Sequence, residues 1–511
     1  MTTGDHVGED PTGGRAAAPG ASRVHPVIAG LGITLGGQLL VALGTVLLYR
    51  LIAQRMGTEG FASFSLAKQA VTLLFPVVTV GLVGGLPRAL ALTRRGEGPR
   101  PEELLAAAAA ICGTVAVAGA AIAVAIPGAT AEVFFGGTAS PALVRSAAGL
   151  LIATAAFHVA YGYFRGRQRL GVANLLQVLA AGLIPPLLLV LFPDLGVASL
   201  VALMALALGG LSLAFVLKPL ARGLLAGRAG LERAGRPLLD YGGRRVPGEI
   251  AQVALFALVP VIAAHVTSLE QVAYLAAALQ LVAMLAVALN PIGVVLLPSL
   301  AERWSVDPER TARQVGALAG FAAHVAIFAA IQLFVMAELA LRLWLGPNFA
   351  DAGALVRVTL LAAGPFIFYL SMRSSLDAVA VRSYNTRSNL AGLMAFILVA
   401  SILLAVDGIQ SAFAVAWAFA AGVCVQGFST LAYVQRAFRV SLSAYAIVPA
   451  LGLGLAAGAA AWLVRPVIED APAPLVLLIG AELLLAAGFF GGLGAARVEW
   501  IALLRARGLR R

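Results

Sequence analysis

Charge is scarce in this chain. Asp, Glu, Lys and Arg make up 12% of its 511 residues, against about 25% in a soluble globular domain. Lysine is scarcer still: only Lys68 and Lys218 occur, and neither stands in a Gly-Lys-Ser/Thr string. The sequence therefore holds no phosphate-cradling loop for ATP. The two cysteines, Cys112 and Cys424, both lie inside apolar runs, where packing is expected rather than a disulfide or a metal. Paired histidines, Cys-x-x-Cys and Gly-x-Ser-x-Gly are all missing. No catalytic residue, no metal ligand and no cofactor is assigned.

Apolar length is what the chain does have. Sixty per cent of its residues are hydrophobic and its mean hydropathy is +0.94. A helix needs about 20 apolar residues to cross the hydrocarbon core. The runs predict fourteen spans, near 27–49, 62–86, 104–126, 142–164, 171–193, 196–217, 247–266, 271–298, 314–340, 353–372, 388–406, 409–433, 443–464 and 474–495. With the N-terminus inside, all but seven of the 36 Lys and Arg residues fall in inner loops and tails; the seven are Arg50, Arg55, Lys68, Arg145, Arg342, Arg357 and Arg465. Basic loops stay cytoplasmic, so this asymmetry fixes the orientation with both termini inside. The net charge of +12 is spread over short loops without a concentrated patch, which excludes a nucleic-acid partner. Outer connections are too short to carry a membrane enzyme's chemistry. Trp304, Trp344, Trp462 and Trp500 stand near span ends, as an interfacial belt requires. Trp417 stands mid-span and is expected inside the bundle.

The expected fold class is all-α, a polytopic membrane protein of two pseudosymmetric six-helix lobes and a C-terminal helix pair. Residues 1–26 read as a disordered cytoplasmic tail and 27–217 as the first lobe. Residues 218–246 form a basic cytoplasmic linker, 247–433 the second lobe, 434–495 the final pair and 496–511 a basic tail. Internal repetition supports the lobes. Ala142-Leu143-Val144-Arg145 recurs as Ala354-Leu355-Val356-Arg357, and Glu59, Gln69 and Pro87 recur, one residue out of that register, as Glu270, Gln280 and Pro298. Both lobes would start inside, as parallel repeats about the membrane normal.

From Arg55 the chain reads Arg-Met-Gly-Thr-Glu-Gly-Phe-Ala-Ser-Phe-Ser-Leu, and a long apolar run then ends in Gly85-Leu86-Pro87-Arg88. This resembles the start of the polysaccharide flippases of the multidrug/oligosaccharidyl-lipid/polysaccharide exporter superfamily. Tyr163-Phe164-Arg165-Gly166 and the stretch from Ala273-Tyr274 to Pro298 are similar to it too. The layout of six, six and two spans agrees over nearly the whole chain. One departure is that Gly60 precedes the aromatic Phe61 instead of following it. The resemblance implies transport of an undecaprenyl-linked oligosaccharide across the bacterial cytoplasmic membrane by alternating access. Membrane lipids and polysaccharide polymerase or export proteins would be its partners. A lipid II flippase, a cation-coupled multidrug exporter and a membrane glycan polymerase or ligase are the competing readings.

Such a substrate has an anionic (pyro)phosphate, so cations within the spans are the candidate headgroup ligands. A lysine near mid-membrane costs roughly 2.5–3.5 kcal/mol on insertion scales and is usually kept for a cavity or a partner. Lys68 is the first candidate; snorkelling to the interface is its ordinary alternative. Related lipid II flippases carry a functional basic residue in this helix. Arg145 and Arg357 follow, with interfacial anchoring as the alternative, and then Arg50 at the outer end of the first span as a cavity candidate; Arg55 is expected in a loop. Gln69 and Gln280, with Gln38, are candidates for sugar hydroxyls, against interhelical hydrogen bonding. Asn290-Pro291 would break the eighth span as a hinge. His158, His324 and Glu482 are candidates for proton or ion coupling, against structural hydrogen bonds.

Overall fold

The computed structural model describes residues 24–93, 98–243, 246–379, 384–406, 408–439 and 446–495. Within them, the side chains of 24–34, 285–299, 301–303, 305 and 379 lie outside the description, as do residues 1–23 of the tail expected at 1–26 and the tail expected at 496–511; the last three residues of the expected N-terminal tail already belong to the first helix. Every regular element among the described residues is helical. In chain order they are α1 (Val24–Thr79), α2 (Leu82–Thr93), α3 (Pro101–Ala125), α4 (Pro127–Phe135), α5 (Pro141–Gly166), α6 (Leu170–Gln177) and α7 (Ile184–Leu191). Then come α8 (Val197–Leu224), α9 (Gly227–Gly243), α10 (Val246–Val266), α11 (Leu269–Val306), α12 (Pro308–Leu345) and α13 (Gly353–Leu360). The chain closes with α14 (Ala363–Val379), α15 (Tyr384–Leu404), α16 (Ser411–Phe438), α17 (Ile447–Glu469) and α18 (Pro474–Ala495).

Among the described residues, eleven helices are long and apolar enough to cross a membrane, or twelve when the pair spanning 347–378, bent by 49°, is one span. The stretch Leu35–Thr93 counts once there, although it doubles back at Gly57. The chain is thus a multi-pass all-α membrane protein. Its outward surface is apolar, with Leu206 at 71%, Phe428 at 64% and Leu484 at 76% exposure.

Several boundaries differ from the expected ones, each for a local reason. The expected loop between the first two spans is not a loop. Helical arms 24–56 and 58–79 meet at Gly57 alone (φ 66°, ψ −165°), a conformation essentially reserved for glycine. Arg55 therefore stands on a helix. The second span does not run unbroken to 86; it breaks at Val80 (φ 49°) and Gly81 (φ 69°) and resumes as α2. Inside the fifth span, Val178–Leu183 is π-helical. Pro185 and Pro186 follow at once, and prolines without N–H groups favour such slack in the ladder. The expected inner loop 299–313 shrinks to Asp307, whose side chain accepts from Arg310 N at 2.9 Å while Pro308 opens α12; this is a strong helix start. The linker 218–246 contains α9. Trp417 is 47% exposed and does not pack inside the bundle, because lipid accepts an aromatic ring as readily as a helix interior does.

Packing sorts the helices into two groups. In the first, α5 lies on α8, α3 and α2, and α1 lies on α5 and α6. In the second, α15 lies on α16, and α14 lies on α11, α12 and α16. α17 packs on α12 and α18. Apolar helices in lipid associate through close backbone approach. A Cβ on Gly44 would meet Gly182 O at 1.8 Å, and one on Gly392 would meet Gly422 O at 2.8 Å. Helix α1 makes most of the contacts between the groups, touching α10, α11 and α12.

Candidate functional site at the seam between the helix groups

The fold-back at Gly57 lays the two arms of α1 side by side. Tyr49 on the first arm meets Phe61 at 5.3 Å and Phe64 at 5.7 Å between ring centroids. The same ring meets Trp344, at the end of α12, at 6.3 Å. Phe61 reaches Phe349 at 5.1 Å, and Phe349 reaches Tyr274 of α11 at 5.8 Å. Two hydrogen bonds reinforce this aromatic seam: Trp344 Nε1 donates to Val46 O at 2.9 Å, and Arg50 Nη1 donates to Leu343 O at 2.9 Å. These contacts between the groups gather at one end of the helices. On the opposite side, Leu300, Val315, Phe368, Met372 and Phe438 form a separate core.

Lys68 lies beneath the seam. Its Nζ donates to Tyr49 Oη at 3.1 Å and stands 5.1 Å from the Tyr49 ring centroid and 6.0 Å from that of Phe64. Lys68 is half-buried and Tyr49 is fully buried. At 1.5 Å per residue, Lys68 sits about 16 Å along its arm from Gly57, so the ammonium is held deep by aromatic faces and a phenol rather than at the helix end. Gln69 and Gln280 are half-buried on α1 and α11. Gln38 Nε2 donates to Gln177 Oε1 at 3.2 Å, an interhelical bond.

The other candidates are not gathered here. Arg145 is exposed on α5. Arg357 Nη2 bonds Glu338 Oε2 at 3.0 Å, the same oxygen that Arg465 Nη2 reaches at 3.0 Å, and Arg465 Nε reaches Glu469 Oε1 at 2.7 Å. These four charges tie α12, α13 and α17 together beside a cavity of about 310 Å³ lined by Trp462, Arg465 and Glu469. Arg145 and Arg357, matched in sequence, thus differ in setting. Arg55 donates to Leu189 O at the end of α7. His158 meets Phe75 at 4.3 Å between ring centroids with the rings tilted by 51°, its Nδ1 is buried without a partner, and it borders a void of about 10 Å³ with Cys112 and Thr79. His324 is fully buried in α12. Glu482 is half-buried on α18 and makes no ion pair with a described residue. α11 runs through Asn290 and Pro291, whose side chains lie outside the described residues. Among the described residues, no group of three or more His, Cys, Asp or Glu could hold a metal ion.

Sequence reasoning missed Glu338 and the aromatic seam. An acid inside the ninth expected span was a readable signal, since intramembrane carboxylates rarely stand alone. Tyr49, Phe61 and Trp344 carried no such mark, because their pairing follows from the turn at Gly57.

The polysaccharide biosynthesis protein family matches residues 27–304, more than half of the chain. The chain belongs to that family. No match is found among curated proteins. Solved structures share its fold. The lipid II flippase MurJ in an inward closed conformation is 11% identical, with a TM-score of 0.64 over 91% of this chain and 99% of that one. An inward-facing multidrug resistance MATE transporter of the MOP superfamily is 14% identical, with a TM-score of 0.61 over 80% and 98%. The Vibrio cholerae MATE transporter VcmN in its bent form is 15% identical, with a TM-score of 0.54 over 81% and 97%. At these identities the likeness shows the fold alone.

Proposed function

We propose that this member of the polysaccharide biosynthesis family is a flippase, not an enzyme. It translocates an undecaprenyl-(pyro)phosphate-linked oligosaccharide across the bacterial cytoplasmic membrane, with both termini cytoplasmic. The two helix groups act as lobes that rock about the central path. The observation that carries this reading is Lys68: a cation held deep beside the seam, bonded to the tyrosine that closes it. Lipid tails can stay in the bilayer, so only the headgroup needs a lined path, and a phosphate is the partner that an ammonium at that depth favours. A lysine in this position repels cationic drugs, which argues against a multidrug exporter. Moving one charge through 100 mV is worth about 2.3 kcal/mol, so an ion gradient or the membrane potential suffices as the driving force. Polysaccharide polymerase and export proteins are the partners that such a step would feed.

Lys68→Ala, reconstituted in vesicles with a fluorescent lipid-linked oligosaccharide, should lose at least tenfold in translocation rate with an unchanged unfolding temperature, and Lys68→Arg should retain part of it. Wild-type rates in Lys68→Ala would overturn the assignment.

A further inference from the structure

His265 stands in the last turn of α10, exposed at the sealed end of the molecule. Its Nδ1 lies 2.8 Å from Val261 O, and its Nε2 lies 2.7 Å from Glu132 O on α4. A backbone carbonyl oxygen only accepts, so each contact requires an N–H on the ring. Neutral imidazole has one. Its other nitrogen would set a lone pair against a carbonyl lone pair at under 3 Å. Only the imidazolium satisfies both.

The setting favours that cation. Gly136 N and Gly137 N both turn to Ala131 O, which leaves Glu132 O as one of the carbonyls that a helix end cannot satisfy itself. The ends of α4 and α10 converge here, and a helix C-terminus carries roughly half a negative charge. The contact also crosses the two packing groups, since α4 packs on α5 while α10 packs on α15 and α16. Beside it the backbones nearly touch: a Cβ on Gly136 (φ 58°) would meet Ala264 O at 2.1 Å.

We propose that His265 is a proton-binding site of the sealed state: the protonated ring staples α4 to α10, and loss of its proton frees the two groups to part. This rests on the alternating-access reading. The charged residues on the surrounding elements are few. α4 brings Glu132, whose carboxylate lies by Gly137. α1 brings Arg50 and Arg55, engaged with the Leu343 and Leu189 carbonyls, and Glu59. α11 brings Glu270, which accepts from Tyr274 Oη at 2.7 Å. α5 brings Arg145, and the described residues of α15 and α16 bring none at this end. The sign of the linkage follows from the bond count. The sealed form holds a proton that the open form can release, so the sealed-to-open ratio falls as pH rises, by up to about tenfold per pH unit for one proton. Acid on this face would therefore favour the sealed form.

The test uses the full chain with Cys112 and Cys424 replaced by alanine and spin labels at the exposed positions Thr138 and Ser268. Double electron–electron resonance from pH 5.5 to 8.5 should show the short-distance population yielding to a longer one as pH rises. His265→Gln should flatten the profile, because an amide can serve one carbonyl at any pH. If both populations exist but their ratio ignores pH, the proton site is wrong and the rocking motion stands. A single distance at every pH overturns both. Should His265→Gln fail to fold, the ¹⁵N signals of the ring in the wild-type sealed form decide: two N–H nitrogens support the proposal, and one bare nitrogen ends it.

Discussion

Lys68 and Gly57 carry different kinds of information. An ammonium inside an apolar run is conspicuous because its burial is costly, so Lys68 could be picked out by composition alone. Its partner could not. Tyr49 reaches it only because the chain reverses at one glycine, and an arm ending at 49 with a loop after it was the natural reading of the apolar pattern. No heavy atom lies within 4 Å of where a Cβ on Gly57 would stand, so substitution there tests backbone strain and nothing else. Gly57→Ala should lower stability by about 1–3 kcal/mol, read as a fall in unfolding temperature in detergent. Gly57→Asn should not recover it, since ψ near 180° at positive φ lies outside the left-handed region that asparagine tolerates. At Lys68, Tyr49→Phe removes one hydroxyl and keeps the ring contacts. It should leave the unfolding temperature within a degree or two while changing the rate at which a cysteine placed at Lys68's neighbour Gln69 is alkylated.

Among elements, α17 is held to the second helix group by charge as well as by apolar contact. Glu338 bridges Arg357 and Arg465, with side-chain exposures of 37%, 34% and 18%. Glu338→Gln should cost about 1–2 kcal/mol, between the values for exposed and buried pairs. Combining it with Arg465→Met should cost less than the sum of the two, because each change removes the same bond. A fully additive double mutant would show that the ion pairs are incidental. Span positions were legible here because about 20 apolar residues are hard to miss. The ends of those spans were not. Asp307-Pro308 reads as a loop in composition yet caps a helix. Gly- and Arg-rich α9 reads as linker, yet it buries Gly230, Ala234 and Leu238 at four-residue spacing, a stripe of small residues that hydropathy averages away.

At the level of the whole molecule, the all-α class followed from composition, and the seam did not, because it depends on pairs far apart in sequence such as Val46 with Trp344. The distribution of basic residues makes a prediction about sidedness. In right-side-out membrane vesicles, a cysteine at Arg228 should react with an impermeant thiol reagent only after the membrane is opened, and one at Thr138 should react at once; the reverse pattern would invert the proposed topology. The seam has a mechanical corollary. Two bodies joined at one end present unequal cross-sections to the two leaflets, and tilting them past each other redistributes that area. The balance between the two shapes should therefore answer to bilayer curvature stress, with cone-shaped and cylindrical phospholipids pulling it in opposite directions even when no substrate is present.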